Sequence, residues 1–152
     1  MHRDAQIFDA LTALGVRVEY AELTPDRDGE YQHDARLIRL RHDMSERLHR
    51  SVLAHECAHA VFGDVPSMFG PLNAKQERRA DEWAALRLIR REEYKRSESV
   101  HHGHIGAIAH DLGVVRSVVE AYQRVLLRIG DVVYVAPKMG AGQWAEREEI
   151  AS

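Results

Sequence analysis

Apolar side chains at helical spacing predict a first helix over residues 4–14. Asp4 precedes this run as a candidate N-cap, and Gly15 follows it as a stop signal. Apolar and β-branched residues then cluster at residues 16–20 and 36–40, with turn-forming residues between the two clusters. This pattern predicts two or three antiparallel strands that form a small sheet.

The middle of the chain carries two longer helical patterns. One face of the first, predicted over residues 45–62, is formed by Leu48, Val52, His55, His59 and Phe62. The second helix is predicted over residues 73–94, where neither glycine nor proline occurs. A polar break is expected at residues 97–103. The two helices are predicted to form a pair.

Two shorter helices are predicted over residues 105–112 and 117–129. A chain of 152 residues with 45% apolar and 30% charged residues can bury one modest core. We therefore expect an α+β protein with a core over residues 1–96 and a helical part, residues 97–130, packed on it. Residues 131–152 are expected to form a poorly ordered tail.

The segment from His55 to His59 places two imidazoles four residues apart. On a helix these residues are about 40° apart, so both rings can point at one metal ion. Glu56 lies beside them and can take a proton from a water molecule that the metal activates. This HExxH spacing also arises by chance in helices that are rich in histidine.

A catalytic zinc site needs a third protein ligand, and Glu77 on the next predicted helix is the candidate. Asp81 lies one turn further on the same face, where its carboxylate can orient a ligating histidine. The alternative is that Glu77 and Asp81 belong to a solvated charged face, since Arg78 and Arg79 lie between them. Zinc is the expected metal, although manganese can occupy such a site in the cell.

These residues carry a resemblance to known peptidases. The HExxH motif followed by ExxxD is similar to the gluzincin metallopeptidases, and residues 53–56 and 77–84 more closely resemble the ImmA/IrrE family. The likeness covers roughly residues 5–130. Ala58 stands where that family usually has glycine, and Trp83 stands where it usually has phenylalanine.

The resemblance implies a minimal gluzincin-like fold and a site-specific intracellular endopeptidase. It implies that His55, His59 and Glu77 bind the metal, that Glu56 is the general base, and that Asp81 orients His55. Its implied substrate is a helix-turn-helix repressor of a phage, a mobile element or a stress regulon.

Residues 105–129 resemble a helix-turn-helix, with Gly113 at the turn. The alternative function is therefore a DNA-binding regulator with a structural metal. Against it, the net charge of -3 gives no general attraction to phosphate, and Glu120 lies on the candidate reading helix. We expect this helical part to pack on the core or to recognise the substrate protein.

Two further features of the site are open at the level of sequence. A residue that stabilises the oxyanion is expected among His101, His102, His104 and Tyr94, and nothing in the sequence distinguishes them. The strand at Leu37 to Leu40 is expected to be an edge strand that pairs with an extended substrate.

The cellular location is expected to be the cytoplasm. Cys57 is the one cysteine, which excludes an intramolecular disulfide, and its position on the helix turns it away from the metal. The sequence contains no run long and apolar enough for an export signal or a membrane span. We expect no membrane partner.

Overall fold

The computed structural model describes residues 4–133, except for the side chains of residues 129–133. It confirms an α+β fold. The elements in chain order are α1 (Ala5–Leu14), β1 (Arg17–Ala21), β2 (Gly29–Gln32), β3 (Leu37–Arg41), α2 (Glu46–Phe62), α3 (Gly70–Leu88), α4 (Arg91–Val100), α5 (Ile105–Leu112) and α6 (Arg116–Val133). Most of the tail predicted over residues 131–152 lies outside the described residues.

The three-stranded sheet is mixed, so the prediction of an antiparallel sheet was wrong in part. The strand order is β1-β3-β2; β3 runs parallel to β1 and antiparallel to β2. The connection after β1 passes over the position of the central strand to reach β2 at the far edge. β3 then fills the place between β1 and β2. Ile38 and Leu40 on β3 are fully buried, as suits a strand with neighbours on both sides.

The predicted substrate-binding edge at Leu37 to Leu40 was therefore also wrong, because β3 is the central strand. Within the described part of the chain, the edges of the sheet are β1 and β2. Local sequence shows that a strand is apolar, but the order of strands depends on which connections cross the sheet.

Helices α2 and α3 pack side by side and carry the predicted site residues. Ser45 caps α2 by accepting a hydrogen bond from the backbone N–H of Leu48, and Gly63 ends it in the left-handed conformation. Ala58 on α2 and Ala80 on α3 are fully buried. Such small side chains allow two helices to approach closely.

The helix predicted over residues 73–94 is divided in the structure. α3 begins at Gly70 and ends at Leu88, and the buried residue Ile89 is extended before α4 begins at Arg91. α4 continues through Ser97, so the predicted break begins only at His101. No glycine or proline marks the division. The local sequence favours a continuous helix, and the burial of Ile89 in the core overrides that preference.

The sequence predicted that Asp4 caps α1, but its side chain makes no capping hydrogen bond. Its carboxylate instead accepts hydrogen bonds from the guanidinium of Arg50, with Nε 2.8 Å from Oδ2. Arg50 also donates to the carbonyl oxygens of Leu88, Leu112 and Gly113. One side chain on α2 thus satisfies the C-terminal carbonyls of α3 and α5 and holds the start of α1.

The C-terminal helices share the main core. α6 packs on α3 and buries a row of apolar side chains: Val118, Val119, Ala121, Tyr122, Val125 and Leu126. Cys57 is fully buried with its sulfur 3.9 Å from the Ile7 carbonyl oxygen, toward α1, as predicted. The boundary at residue 97 stays a prediction. Within residues 4–133, no helix combines the length and apolar character that a membrane span requires.

Candidate metal centre

α2 directs His55 and His59 toward the same point. Their rings meet edge to face, with centroids 4.7 Å apart, and their Nε2 atoms are 3.1 Å apart. This arrangement follows from the four-residue spacing on a helix. His59 is buried and the side chain of His55 is about one-fifth exposed.

Glu77 reaches the two histidines from α3. Its Oε1 lies 2.9 Å from Nε2 of His55, and its Oε2 lies 3.0 Å from Nε2 of His59. Within the described residues, His55, His59 and Glu77 form a cluster whose potential ligand atoms all lie within 4.8 Å of one another. The structure thus brings the three predicted ligands together.

Each histidine contacts a second carboxylate through its other ring nitrogen. Asp81 Oδ1 lies 2.8 Å from Nδ1 of His55, as its spacing from Glu77 predicts. Asp64 Oδ2 lies 2.9 Å from Nδ1 of His59, and Arg79 contacts the other oxygen of Asp64 at 2.6 Å. Asp64 belongs to neither sequence motif and was not predicted. Its one signal is its place directly after the helix-ending glycine.

The donor set fits a metal ion. If each Nδ1–H donates to its carboxylate, the lone pair of each Nε2 faces a Glu77 oxygen. Four acceptor atoms, the two Nε2 atoms and the two Glu77 oxygens, then converge with neighbouring atoms 2.9–3.1 Å apart. Such a cluster requires a cation or protons. Ligands at the usual zinc distances of about 2.0–2.1 Å are roughly 3.3 Å apart in a tetrahedron, close to this spacing.

The ionisation of the cluster reflects the same crowding. Burial alone would lower the pKa of His55, but hydrogen bonds to Asp81 and Glu77 raise it to about 10. Burial would also lower the pKa of His59, but hydrogen bonds to Glu77 and Asp64 outweigh it and raise that pKa. The same bonds to His55 and His59 hold the pKa of Glu77 well below its usual range. Protons bound here must leave when a metal enters.

Glu56 lies beside the ligands and is 8% exposed. Burial raises the pKa of Glu56, while the charges of His55 and His59 oppose that rise. Its Cγ lies close to β2, since a Cβ placed on Gly29 would be 3.3 Å away. A buried carboxylate at this position can accept a proton from water in the adjoining cleft.

Comparison with known proteins decides the family. The model of the IrrE N-terminal-like domain, Peptidase_M78, matches residues 11–122. The chain belongs to this family. No curated protein matches the chain. The match confirms the resemblance to the ImmA/IrrE family and identifies the chain as having a peptidase domain.

The fold of this member of the IrrE N-terminal-like family accommodates both residues that differ from the usual family motif, Ala58 and Trp83. Ala58 is fully buried, so its methyl group fits the space where the family usually has glycine. Trp83 packs partly buried against the core, and the guanidinium of Arg87 stacks over its ring at 4.3 Å. Neither residue belongs to the metal-ligand cluster.

Among the described residues of this family member, two cavities border both Glu56 and His55. The first, of about 440 Å³, is lined by residues of β2, by His59 and Glu77, and by residues of the α2–α3 connection. The second, of about 280 Å³, is lined by Asp81, by charged residues of the β1–β2 connection, and by apolar residues of α2, α3, α6 and the turn before α6: Leu48, Val52, Ala84, Val115 and Val118. The C-terminal helical part therefore forms one wall beside Glu56.

The four candidates for oxyanion stabilisation lie elsewhere. Tyr94 is fully buried and its hydroxyl contacts Gln123 and Glu98. His104 caps α5 by accepting from a backbone N–H, and His101 lies 3.6 Å from an Asp111 oxygen. His102 occupies the turn between α4 and α5 with φ of 53°. None of the four lines either cavity beside Glu56.

Proposed function

We propose that this chain is a zinc-dependent endopeptidase of the cytoplasm that cleaves one specific protein. The observation that carries the proposal is the convergence of His55, His59 and Glu77 beside the buried carboxylate of Glu56. Three protein ligands leave a position for water, which is typical of catalytic zinc sites and not of closed structural ones.

Zinc suits the two imidazoles and one carboxylate of this cluster, and manganese can replace it when it is more available. When bound, the metal supplies a Lewis acid that lowers the pKa of water and polarises the scissile carbonyl group. Asp81 and Asp64 fix the tautomers of the two histidines, because each carboxylate accepts the Nδ1–H.

Glu56 transfers the proton. As the water oxygen bonds to the carbonyl carbon, one water proton passes to the Glu56 carboxylate and the carbonyl π electrons move to the oxygen. Glu56 then delivers that proton to the amide nitrogen as the C–N bond breaks. Its position on the lining of both cavities gives it access to a bound peptide.

The substrate segment pairs with β2 and not with β3. β2 is an edge of the sheet, and Gly29, Glu30 and Tyr31 line the larger cavity. An extended peptide can add to such an edge through backbone hydrogen bonds. Cleavage of an extended segment also explains how a peptidase can be narrow in specificity, since a folded protein must present that segment.

A helix-turn-helix repressor is the proposed substrate, on the strength of the resemblance to the ImmA/IrrE family. The C-terminal helical part takes part in recognition, because Val115 and Val118 line the smaller cavity beside Glu56. A side chain next to the cleaved bond can enter this cavity, whose helical walls are apolar and whose β1–β2 wall is charged.

The alternative, a DNA-binding regulator that uses residues 105–129, has less support. The side chains of Arg124 and Arg128 on α6 pair with Glu82 on α3, at 3.2 and 2.8 Å. Phosphate contacts would have to compete with these pairs. Titration with DNA upstream of the gene, at several salt concentrations, distinguishes the two functions: binding tighter than about 10⁻⁷ M at physiological salt favours DNA recognition.

Glu56→Gln tests the proposed chemistry. The variant keeps the shape of the side chain but cannot take the proton, so we expect unchanged zinc content and a loss of hydrolysis of roughly a hundredfold or more. Zinc is measured by elemental analysis, and cleavage is measured on a randomised peptide library and on a repressor encoded beside the gene. Glu46→Gln, an exposed change on the same helix, is the matched control.

Three results would contradict the proposal. A Glu56→Gln variant that cleaves at the wild-type rate would exclude Glu56 as the base. Unchanged zinc stoichiometry in His55→Ala, His59→Ala and Glu77→Ala would exclude the metal site. Failure of the zinc-loaded wild type to cleave any library peptide or the repressor would argue against a peptidase.

A further inference from the structure

β2 lies along α2 in register with the catalytic residues. A Cβ on Gly29 would meet Val52 and Glu56, whereas a Cβ on Gly63, at the other end of the site, would lie 3.5 Å from Cε1 of His33. Tyr31 is midway between Gly29 and His33. Because alternate residues of a strand share a face, Tyr31 faces the stretch of α2 between Glu56 and Gly63.

The Tyr31 hydroxyl has a defined partner. It lies 2.9 Å from Nδ1 of His33, and the two rings are tilted with centroids 5.8 Å apart. Tyr31 lines the cavity that holds the metal-ligand cluster and Glu56, and both residues line the adjoining cavity. Burial raises the pKa of Tyr31, so the phenol keeps its proton and remains a hydrogen-bond donor.

Two other side-chain donors of that cavity, Asn73 and Arg27, already have partners. The Asn73 side chain is engaged by the backbone of Ser67, accepting from its N–H at 2.8 Å and contacting its carbonyl oxygen. Arg27 pairs with Glu30 at 3.6 Å. Gln76 also lines the cavity, on α3 next to Glu77, and is the one to compare with Tyr31 by experiment.

We propose that the Tyr31 hydroxyl donates a hydrogen bond to the oxygen of the scissile carbonyl as negative charge develops on it, and that His33 is a positioning residue for that hydroxyl. This inference rests on the proposed peptidase function. When Nδ1–H of His33 donates to the Tyr31 oxygen, the phenolic O–H is free to point into the cavity. Glu56 and the Tyr31–His33 pair then act from opposite ends of the two ligand histidines.

Tyr31→Phe removes the hydroxyl and leaves the packing of the ring. In the zinc-loaded full chain we expect unchanged zinc content and melting temperature, with kcat on a cleaved library peptide lower by about a hundredfold and little change in KM. A second readout is binding of N-phosphoryl-leucyl-tryptophan, whose tetrahedral phosphoryl group mimics the carbonyl after water addition. Calorimetry should show affinity weakened by about tenfold or more.

The chain offers a matched control. Tyr20 on β1 also contacts a histidine, with its hydroxyl 2.7 Å from Nε2 of His49, but it does not line the cavities beside Glu56. Tyr20→Phe should therefore change neither kcat nor probe affinity. His33→Ala should lower kcat in the wild type but not further in Tyr31→Phe, since the two residues act as one unit. His33→Asn, whose amide can donate in place of Nδ1, should restore part of the loss.

Each outcome has a definite meaning. Wild-type kcat and probe affinity in Tyr31→Phe, or a comparable loss in Gln76→Ala with none in Tyr31→Phe, would overturn the inference and leave the peptidase proposal intact. Additive losses in the His33 and Tyr31 variants would remove the positioning role. If the wild type neither cleaves the library nor binds the probe, the proposed function fails, and this inference fails with it.

Discussion

Asp64 accepts a hydrogen bond from Nδ1 of His59 at 2.9 Å, although it lies outside the helices that carry the predicted motifs. The Asp81 contact with His55 is its counterpart on α3, at 2.8 Å. Both ligand histidines are thus oriented by carboxylates, one from each side of the site. Arg79 in turn holds Asp64 in place.

Asp64→Asn should weaken zinc binding by roughly 10- to 100-fold. The amide can donate to Nδ1, which would place the proton of His59 on Nε2 and remove the lone pair that faces the metal. Competition with a chromophoric chelator measures the affinity. Asp9→Asn, an exposed change on α1, should have no effect. An affinity equal to that of the wild type would show that Asp64 does not set the tautomer.

Glu77→Gln should reduce zinc affinity more than Asp81→Asn does. Glu77 offers a ligand atom to the metal, whereas Asp81 acts only through its hydrogen bond to His55. Loss of such a supporting hydrogen bond lowers metal affinity by roughly 10- to 100-fold. Because binding stabilises the folded state, the zinc-dependent rise in melting temperature should follow the same order. Calorimetric melting with and without zinc provides the test, and the reverse order would exchange the two roles.

Gly29→Ala should destabilise the fold by about 1–3 kcal/mol, the usual range for overpacking. The added Cβ would lie 2.7 Å from Cγ1 of Val52 and 3.0 Å from Cδ2 of Leu40. Leu40 is fully buried and Val52 packs against the core, so neither side chain can move away at no cost. Urea unfolding measures the change. At Gly70 a Cβ meets nothing within 4 Å, so Gly70→Ala is the control and should leave stability nearly unchanged.

Arg50→Ala should be the most destabilising of these substitutions, by about 3–5 kcal/mol. It would leave the Asp4 carboxylate without its guanidinium partner and deprive the carbonyls of Leu112 and Gly113 of a donor. Urea unfolding is again the measurement. Arg96→Ala on the exposed face of α4 is the control, and equal losses in the two variants would show that the Arg50 contacts contribute little.

Features that depend on neighbours along the chain could be predicted from the sequence alone. His55, Glu56 and His59 share a helix, and so do Glu77 and Asp81, so helical geometry alone sets their relative directions. The end of α2 at Gly63 follows from local backbone preference. These are interactions within a few residues, which is the range over which a sequence pattern is informative.

Which distant segments meet depends on tertiary packing and could not be predicted from local sequence. β3 lies between β1 and β2 because the connections cross the sheet, and that placement brings β2, with Tyr31, to the metal site. The division of the helix at Ile89 has the same origin. These arrangements depend on burying one common core, and many chain paths satisfy the same local pattern until side chains from separate elements pack together.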